Sequence, residues 1–92
     1  ERYSIVHDSR DILWISTYGN GLYAYELSTG NLQHFTFEVN QSSHINSNYL
    51  QFVMEDRSGG IWVSSEFSDY PLEILNKGTQ RLHPSGENSS DR

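Results

Sequence analysis

The chain of 92 residues contains no cysteine and only a small number of basic residues. Each of these two features excludes a class of function. Without cysteine there can be no disulfide framework, no thiolate nucleophile and no cysteine-ligated zinc site. Lysine and arginine number 6 against 12 aspartate and glutamate residues, which gives a formal net charge of -6. Because nucleic acids and anionic membranes are bound through clustered positive charge, we predict no nucleic-acid partner and no direct membrane contact.

Long apolar runs and helical periodicity are also missing. The longest apolar run, residues 12–15, is far shorter than the roughly 20 residues that cross a bilayer. No segment of helical length carries the i, i+3, i+4 apolar spacing of an amphipathic helix. The chain is instead rich in aromatic residues, which make up 13% of it. Aromatic and β-branched residues favour strands, so the composition indicates an all-β protein.

One stretch of the sequence occurs twice. The segment DSRDILWISTYGNGLYAY starts at Asp8, and the similar segment DRSGGIWVSSEFSDYPLEIL starts at Asp56. The two aspartates are 48 positions apart, and so are Trp14 and Trp62. After the tryptophans the second copy is longer by two residues, so that EFSDYP stands in place of YGNG. A repeat of this length indicates one supersecondary unit that is used twice.

Each copy divides into four short apolar runs separated by turn residues, and we predict that each run is a strand. The predicted strands are residues 3–7, 12–16, 21–27 and 32–37 in the first copy and 49–55, 61–65, 72–75 and 80–83 in the second. Four strands at a period of about 40 to 50 residues are typical of propeller blades. The predicted fold is therefore all-β, with two four-stranded antiparallel β-propeller blades that form a fragment of a larger propeller.

The domain organisation follows from the repeat. Residues 1–37 are predicted to form the first blade, residues 38–48 a linker, residues 49–83 the second blade, and residues 84–92 a polar, disordered tail. A propeller closes with about four to eight blades, so two blades leave one apolar face open at each end. We therefore predict that the chain self-associates through these open blade faces.

Residues at equivalent positions in the two copies are predicted to be structural. Trp14 and Trp62 are expected to pack between blades. Asp8 and Asp56 are expected to cap the following turn by accepting backbone N–H bonds. The residues assigned to this repeat scaffold are Asp8, Trp14, Gly19, Gly21, Asp56, Gly59 and Trp62.

The sequence offers no good metal site. The four histidines lie in separate segments without the i, i+2 or i, i+4 spacing of a metal pair. Asp8 and Asp11 could supply two carboxylates to calcium, but calcium needs about six to eight oxygen ligands. The second copy also has Gly59 where Asp11 stands. We predict no metal site and no cofactor.

Catalysis by this chain is likewise not predicted. Glu55, Asp56 and Glu66 could be imagined as paired carboxylates for glycoside cleavage, but the sequence does not set the distances between them. Asp56 is already assigned to a turn.

The loops are the better candidate for function. In a four-stranded blade, the turn between the second and third strands lies on the same face as the link to the next blade. That face would carry residues 18–20, 38–48 and 66–70, whose aromatic rings could stack on sugars and whose amides could bind hydroxyl groups. The candidate ligand-binding residues are Tyr18, Asn20, Asn40, Asn46, Phe67, Asp69 and Tyr70. The same composition is also typical of ordinary exposed loops.

The repeated motifs resemble a known family. The segments EDRSGGIWVSS at residues 55–65 and DSRDILWISTYGNGLYAY at residues 8–25 look like two-component regulator propeller repeats. The linker SHINSNYL resembles the link between blades in that family, and the resemblance covers about residues 3–83. The chain departs from the pattern at Asp11 and Ile12, which replace a glycine, and at residues 67–71, where a Gly-Leu turn is lost.

The resemblance implies a function. Such repeats are typical of the periplasmic sensor region of hybrid two-component histidine kinases in Bacteroides-type bacteria, many of which sense glycan fragments. By this resemblance the chain is a non-catalytic part of a ligand-sensing propeller that detects oligosaccharides. It would signal to transcription through the rest of the parent receptor. Two alternatives remain open: a propeller scaffold for protein interaction or dimerisation, and a part of a carbohydrate-active enzyme.

Overall fold

A computed structural model, which describes residues 3–39 and 45–75, shows two antiparallel β-sheets that follow one another along the chain. In each sheet the strands lie in chain order. The first sheet contains β1 (Tyr3–His7), β2 (Ile12–Thr17), β3 (Leu22–Glu26) and β4 (Leu32–Phe35), and the second contains β5 (Leu50–Glu55), β6 (Ile61–Ser65) and β7 (Leu72–Leu75). The described residues form no helix, and so none that could cross a membrane.

The all-β prediction is confirmed, and seven of the eight predicted strands are present with ends that differ by at most two residues. The eighth predicted strand, residues 80–83, and the predicted tail, residues 84–92, lie outside the described residues. Over the part of the chain that is described, the second sheet therefore has three strands, and neither sheet closes on itself.

The two sheets pack face to face, with β5 against β1 and β2. Because side chains alternate along a strand, one face of each sheet points into this contact. The backbone N–H of Val53 donates to the Ser4 hydroxyl at 3.2 Å across it. The buried apolar side chains are those of Trp14, Leu22, Ala24, Ile45, Leu50, Val53, Ile61, Val63 and Leu75. We call the two contacting surfaces the inner faces.

The opposite surfaces, which we call the outer faces, are also apolar, and no sheet formed by residues 3–39 and 45–75 lies against them. On the first sheet, Ile5 pairs with Ile15 on this surface, and Ile5 is 55% exposed. On the second sheet, Met54 pairs with Trp62, and Met54 is 44% exposed. Each sheet therefore has two apolar faces, and within the described part of the chain one of the two is covered by the other sheet.

An aspartate at the end of the first strand organises the first turn of each sheet. The indole Nε1–H of Trp14 donates to Asp8 Oδ2 at 2.8 Å, and that of Trp62 donates to Asp56 Oδ2 at 2.7 Å. The other oxygen of each aspartate, Oδ1, accepts backbone N–H groups from the second and fourth residues that follow, at 2.8 to 2.9 Å. These backbone bonds are the turn-capping bonds expected from the sequence, whereas the indole bonds were not predicted. We call the two arrangements the Asp–Trp pairs.

Both carboxylates are held in the ionised form. Burial by itself would raise the pKa of Asp8, but hydrogen bonds from Trp14, Ile12 and Arg10 outweigh it and lower that pKa below its usual value. In the second sheet, bonds from Trp62, Gly60 and Ser58 lower the pKa of Asp56 to about 2. A carboxyl with a lower pKa in the folded state stabilises the fold above its unfolded pKa. This contribution is lost as the pH falls from about 4 toward 2.

The same turn shows why the first copy tolerates a departure from the repeat. Asp11 has a φ of 65°, and Gly59, 48 positions later, has a φ of 92°. Both residues thus adopt the left-handed region that glycine favours and that aspartate enters more readily than most residues. The replacement of glycine by Asp11 therefore leaves the turn unchanged.

We predict that Trp14→Phe destabilises the fold more than Trp62→Phe. A hydrogen bond to a charged group contributes about 1.5–3 kcal/mol, and Asp8 is only 4% exposed, so water cannot replace the lost indole donor. Asp56 is partly exposed and can be rehydrated, so the second substitution should cost less. Urea unfolding at pH 7 measures both costs. An Asp8→Asn/Trp14→Phe cycle with no coupling energy would contradict the role of this bond.

Candidate ligand-binding site

Three loops meet at one end of the two sheets, opposite the Asp–Trp pairs. They are the turn after β2, the segment of residues 45–49 before β5, and the loop of residues 66–71 after β6. Tyr18 forms an isolated β-bridge with Tyr49, and the backbone N–H of Glu66 donates to the Tyr49 carbonyl at 2.9 Å. We call this surface the loop end. The expectation that these segments share one face agrees with this arrangement.

Asn48 fixes the segment that joins the two sheets. Its side chain accepts the N–H of Phe37 at 2.7 Å and donates to the carbonyl of the same residue at 3.2 Å. Its carbonyl accepts the N–H groups of Gly19 and Gly21 at 2.8 and 3.0 Å. Gly21 has a φ of 83°, and a Cβ there would collide with the Phe35 carbonyl oxygen. The turn after β2 therefore requires glycine at this position.

A cleft of about 360 Å³ opens at the loop end, beside the loop after β6. Its wall combines aromatic rings with amide, hydroxyl and carboxylate groups. The lining residues are Phe37, Asn46, Phe67, Ser68, Asp69 and Tyr70. Four of the seven candidate residues from the sequence thus lie around a single cavity.

The other three candidates are placed differently. Tyr18 lies at the loop end but outside the cleft wall, and its hydroxyl donates to Glu66 Oε1 at 2.5 Å. Asn20 lies in the turn after β2, where its carbonyl is bonded to His34 Nε2 at 2.6 Å, and it does not line the cleft. Asn40 falls outside the described residues.

Phe67 is exposed on a strained backbone. Its side chain is 76% exposed, and its φ of 61° lies in the left-handed region, which is costly for an aromatic residue. Its ring meets the Tyr49 ring edge-on with a centroid distance of 5.3 Å, and Tyr49 meets Tyr18 in the same way at 5.1 Å. Strain of this kind is concentrated at binding sites, where the surrounding structure maintains it.

Two residues that the sequence analysis did not select contact residues of the cleft wall. Tyr49 links the aromatic rings of the two sheets, and the available signal was an aromatic residue at the start of the predicted strand 49–55, directly after the linker. Glu73, only 1% exposed in β7, accepts the side-chain amide of Asn46 at 3.0 Å and its backbone N–H at 3.3 Å. The signal for Glu73 was a carboxylate inside the apolar strand LEIL. Glu73 therefore fixes the orientation of Asn46 at the cleft.

The carboxylates considered for glycoside cleavage are separated. Glu66 lies beyond the last residue of β6 and accepts bonds from Tyr18 and Gln51. Glu55 is paired with Ile61 at the other end of β6, and its carboxylate accepts the Ser9 N–H at 3.0 Å. Asp56 follows Glu55 in the chain. Glu66 is thus five residues of extended chain away from the residue that pairs with Glu55, which is about 17 Å.

No family model matches the chain, and no curated protein matches its sequence significantly. The resemblance to two-component regulator propeller repeats therefore rests on the repeated motifs alone. The periplasmic location, the histidine-kinase parent and the oligosaccharide ligand remain predictions.

We predict that Phe67→Gly is more stable than Phe67→Ala by about 1 kcal/mol, because only alanine retains the cost of a side chain at positive φ. Urea unfolding compares the two variants directly. A matched pair at Leu32, an exposed strand residue with ordinary φ, should show the reverse order. Equal stability of the two Phe67 variants would contradict the strained conformation.

Proposed function

We propose that this chain is a non-catalytic, ligand-binding part of an extracytoplasmic sensor, and that its cleft at the loop end binds a neutral oligosaccharide. We also propose that the two sheets are consecutive blades of a β-propeller. The observation that carries the binding proposal is the convergence of Asn46, Phe67, Asp69 and Tyr70 on one cavity. The blade proposal is supported by the repeated strand order and the repeated Asp–Trp pairs.

The chemistry of the cleft fits a sugar. Aromatic rings present flat apolar surfaces to the C–H faces of pyranoses, and Phe67 and Tyr70 provide two of them. Asn46 and Asp69 supply an amide and a carboxylate that can bind pairs of hydroxyl groups. The volume of about 360 Å³ lies at the small end of the usual range for ligand sites, about 300–1,000 Å³. It therefore suits one end of an oligosaccharide rather than a long chain.

The charge around the cleft favours a neutral ligand. Asp69 lines the cleft, and Glu66 and Glu73 lie close to it in the chain and the fold. The chain as a whole carries a net charge of -6. Sulfated or uronic-acid sugars would be repelled by this field, so they are disfavoured.

A catalytic role is less well supported than binding. Among the described residues, Asp69 is the single carboxylate that lines the cleft, whereas most glycoside hydrolases use two that flank the scissile bond. In a sensor, the ligand needs only to bind one receptor state more tightly than another in order to shift their populations.

The test is titration of the 92-residue chain with neutral manno-, xylo- and malto-oligosaccharides. Binding is measured during the titration, either by calorimetry or from the chemical shifts of the backbone amides. We predict that Tyr70→Ala and Phe67→Ala weaken the affinity at least about tenfold, if a sugar ring stacks with the lower part of the roughly 1–3 kcal/mol that a base gains on an aromatic side chain. Tyr25→Ala, which removes an exposed ring from the outer face of the first sheet, should leave the affinity unchanged. Unchanged affinity in both cleft variants, or no binding to any of the three sugars, would contradict the proposal.

A further inference from the structure

The positive side chains of the described residues lie at the opposite end of the molecule from the cleft. Among residues 3–39 and 45–75 the fixed positive charges are those of Arg10 and Arg57, and both lie in turns at the Asp–Trp end. Within the same part of the chain, no lysine, arginine or histidine lines the cleft, whereas Asp69 does. The cleft is therefore a negative surface, which attracts a cation and repels an anion.

The Asp69 carboxylate is available to a ligand. Asp69 is exposed at the cleft, and its carboxylate forms no hydrogen bond or ion pair with the other residues of 3–39 and 45–75. The nearby Glu66 carboxylate, by contrast, accepts bonds from Tyr18 and Gln51. Because an ionised carboxylate can only accept hydrogen bonds, the ligand group that meets Asp69 must be a donor.

The Asn46 amide is also held so that it can accept. The two oxygens of the buried Glu73 carboxylate accept the backbone N–H of Asn46 at 3.3 Å and its side-chain Nδ2–H at 3.0 Å. Because the amide nitrogen is bound to Glu73, the amide oxygen Oδ1 is left to accept a hydrogen bond from a ligand. The carboxylate and the amide of the cleft wall therefore both favour a ligand that donates.

Three aromatic rings line the same cleft, those of Phe37, Phe67 and Tyr70. The face of an aromatic ring attracts a cation, and ammonium ligands are recognised by cages of such rings. A neutral sugar can use the rings and the acceptors, but it leaves the charge of Asp69 without a partner. A sugar with an ammonium group supplies a pyranose face, a donor and the opposite charge in one molecule.

We propose that the cleft binds an amino sugar with a free, protonated amino group in preference to the neutral sugars considered above. The ammonium group donates to Asp69, a ring hydroxyl donates to Asn46 Oδ1, and the C–H face of the sugar lies on the aromatic rings. Acetylation of an amine removes its charge and its cation–π attraction, so the N-acetylated sugar is not preferred. The inference rests on the proposed sugar-binding function and adds to it the chemical class of the preferred ligand.

Three trisaccharides that differ only at carbon 2 test the preference. Cellotriose carries a hydroxyl there, the β-1,4-linked trimer of glucosamine an ammonium group, and the trimer of N-acetylglucosamine an acetamide. Calorimetry with the 92-residue chain is run at pH 5.5, where the amino groups are protonated, and at low ionic strength, because salt screens an exposed ion pair. The glucosamine trimer should bind at least about fivefold more tightly than cellotriose, and the acetylated trimer no more tightly.

A matched pair of substitutions separates the cleft from the net charge of the chain. Asp69→Asn removes one negative charge at the cleft and keeps the shape of the side chain, so the preference for the glucosamine trimer should disappear. Asp11→Asn makes the same chemical change in an exposed turn at the Asp–Trp end, where asparagine also tolerates the positive φ of residue 11. This control variant should keep the full preference.

The outcomes distinguish this inference from the proposed function. If cellotriose binds as tightly as the glucosamine trimer, the amino-sugar preference is overturned and sugar binding by the cleft stands. A preference that falls equally in Asp69→Asn and Asp11→Asn also overturns it, because the attraction then comes from net charge alone. If none of the three trisaccharides binds, the preference is overturned whatever the manno-, xylo- and malto-oligosaccharide titrations show. Binding of the glucosamine trimer alone, lost in Asp69→Asn, supports the inference and contradicts a neutral ligand.

Discussion

The interaction on which each sheet depends is the bond between a carboxylate at the end of its first strand and a tryptophan in its second. Asp8 and Asp56 each bring together an indole, two backbone N–H groups and the turn between two strands. One charged side chain thus fixes both the turn and the orientation of a large ring. The ring then sets how the next sheet can pack, because Trp14 forms part of the inner face.

The two ends of the molecule differ in how closely the two copies of the repeat agree. The end with the Asp–Trp pairs is nearly the same in both copies, down to the positive φ of Asp11 and Gly59. The opposite end differs, because the second copy has two more residues after β6 and uses them to form the cleft wall. Because the turns at the Asp–Trp end are enough to hold each sheet together, the loops at the opposite end can differ between the two copies. The strained Phe67 and the cleft lie where that freedom exists.

Much of this fold can be predicted from the sequence, because short apolar runs between turn residues specify strands and their order. The alternation of faces and the turn-capping aspartates follow from the same pattern. The indole bonds could not be predicted, since they depend on how Trp14 and Trp62 cross the turn rather than on spacing alone. The cleft was predicted only in part. Its wall depends on the path of residues 66–71, and no local pattern indicates that Phe67 takes a positive φ or that Glu73 is buried against Asn46.

The central claim is that one unit, held by one Asp–Trp pair, is used twice. The most direct test is a pH titration of the two indole N–H signals by nuclear magnetic resonance. The account predicts that each indole signal shifts as its bonded aspartate is protonated. The midpoint for Trp14 should lie below 3.8, the usual pKa of aspartate, and the midpoint for Trp62 should lie at the Asp56 pKa of about 2. Indole signals that do not respond to pH, or that respond with an ordinary aspartate pKa, would contradict it.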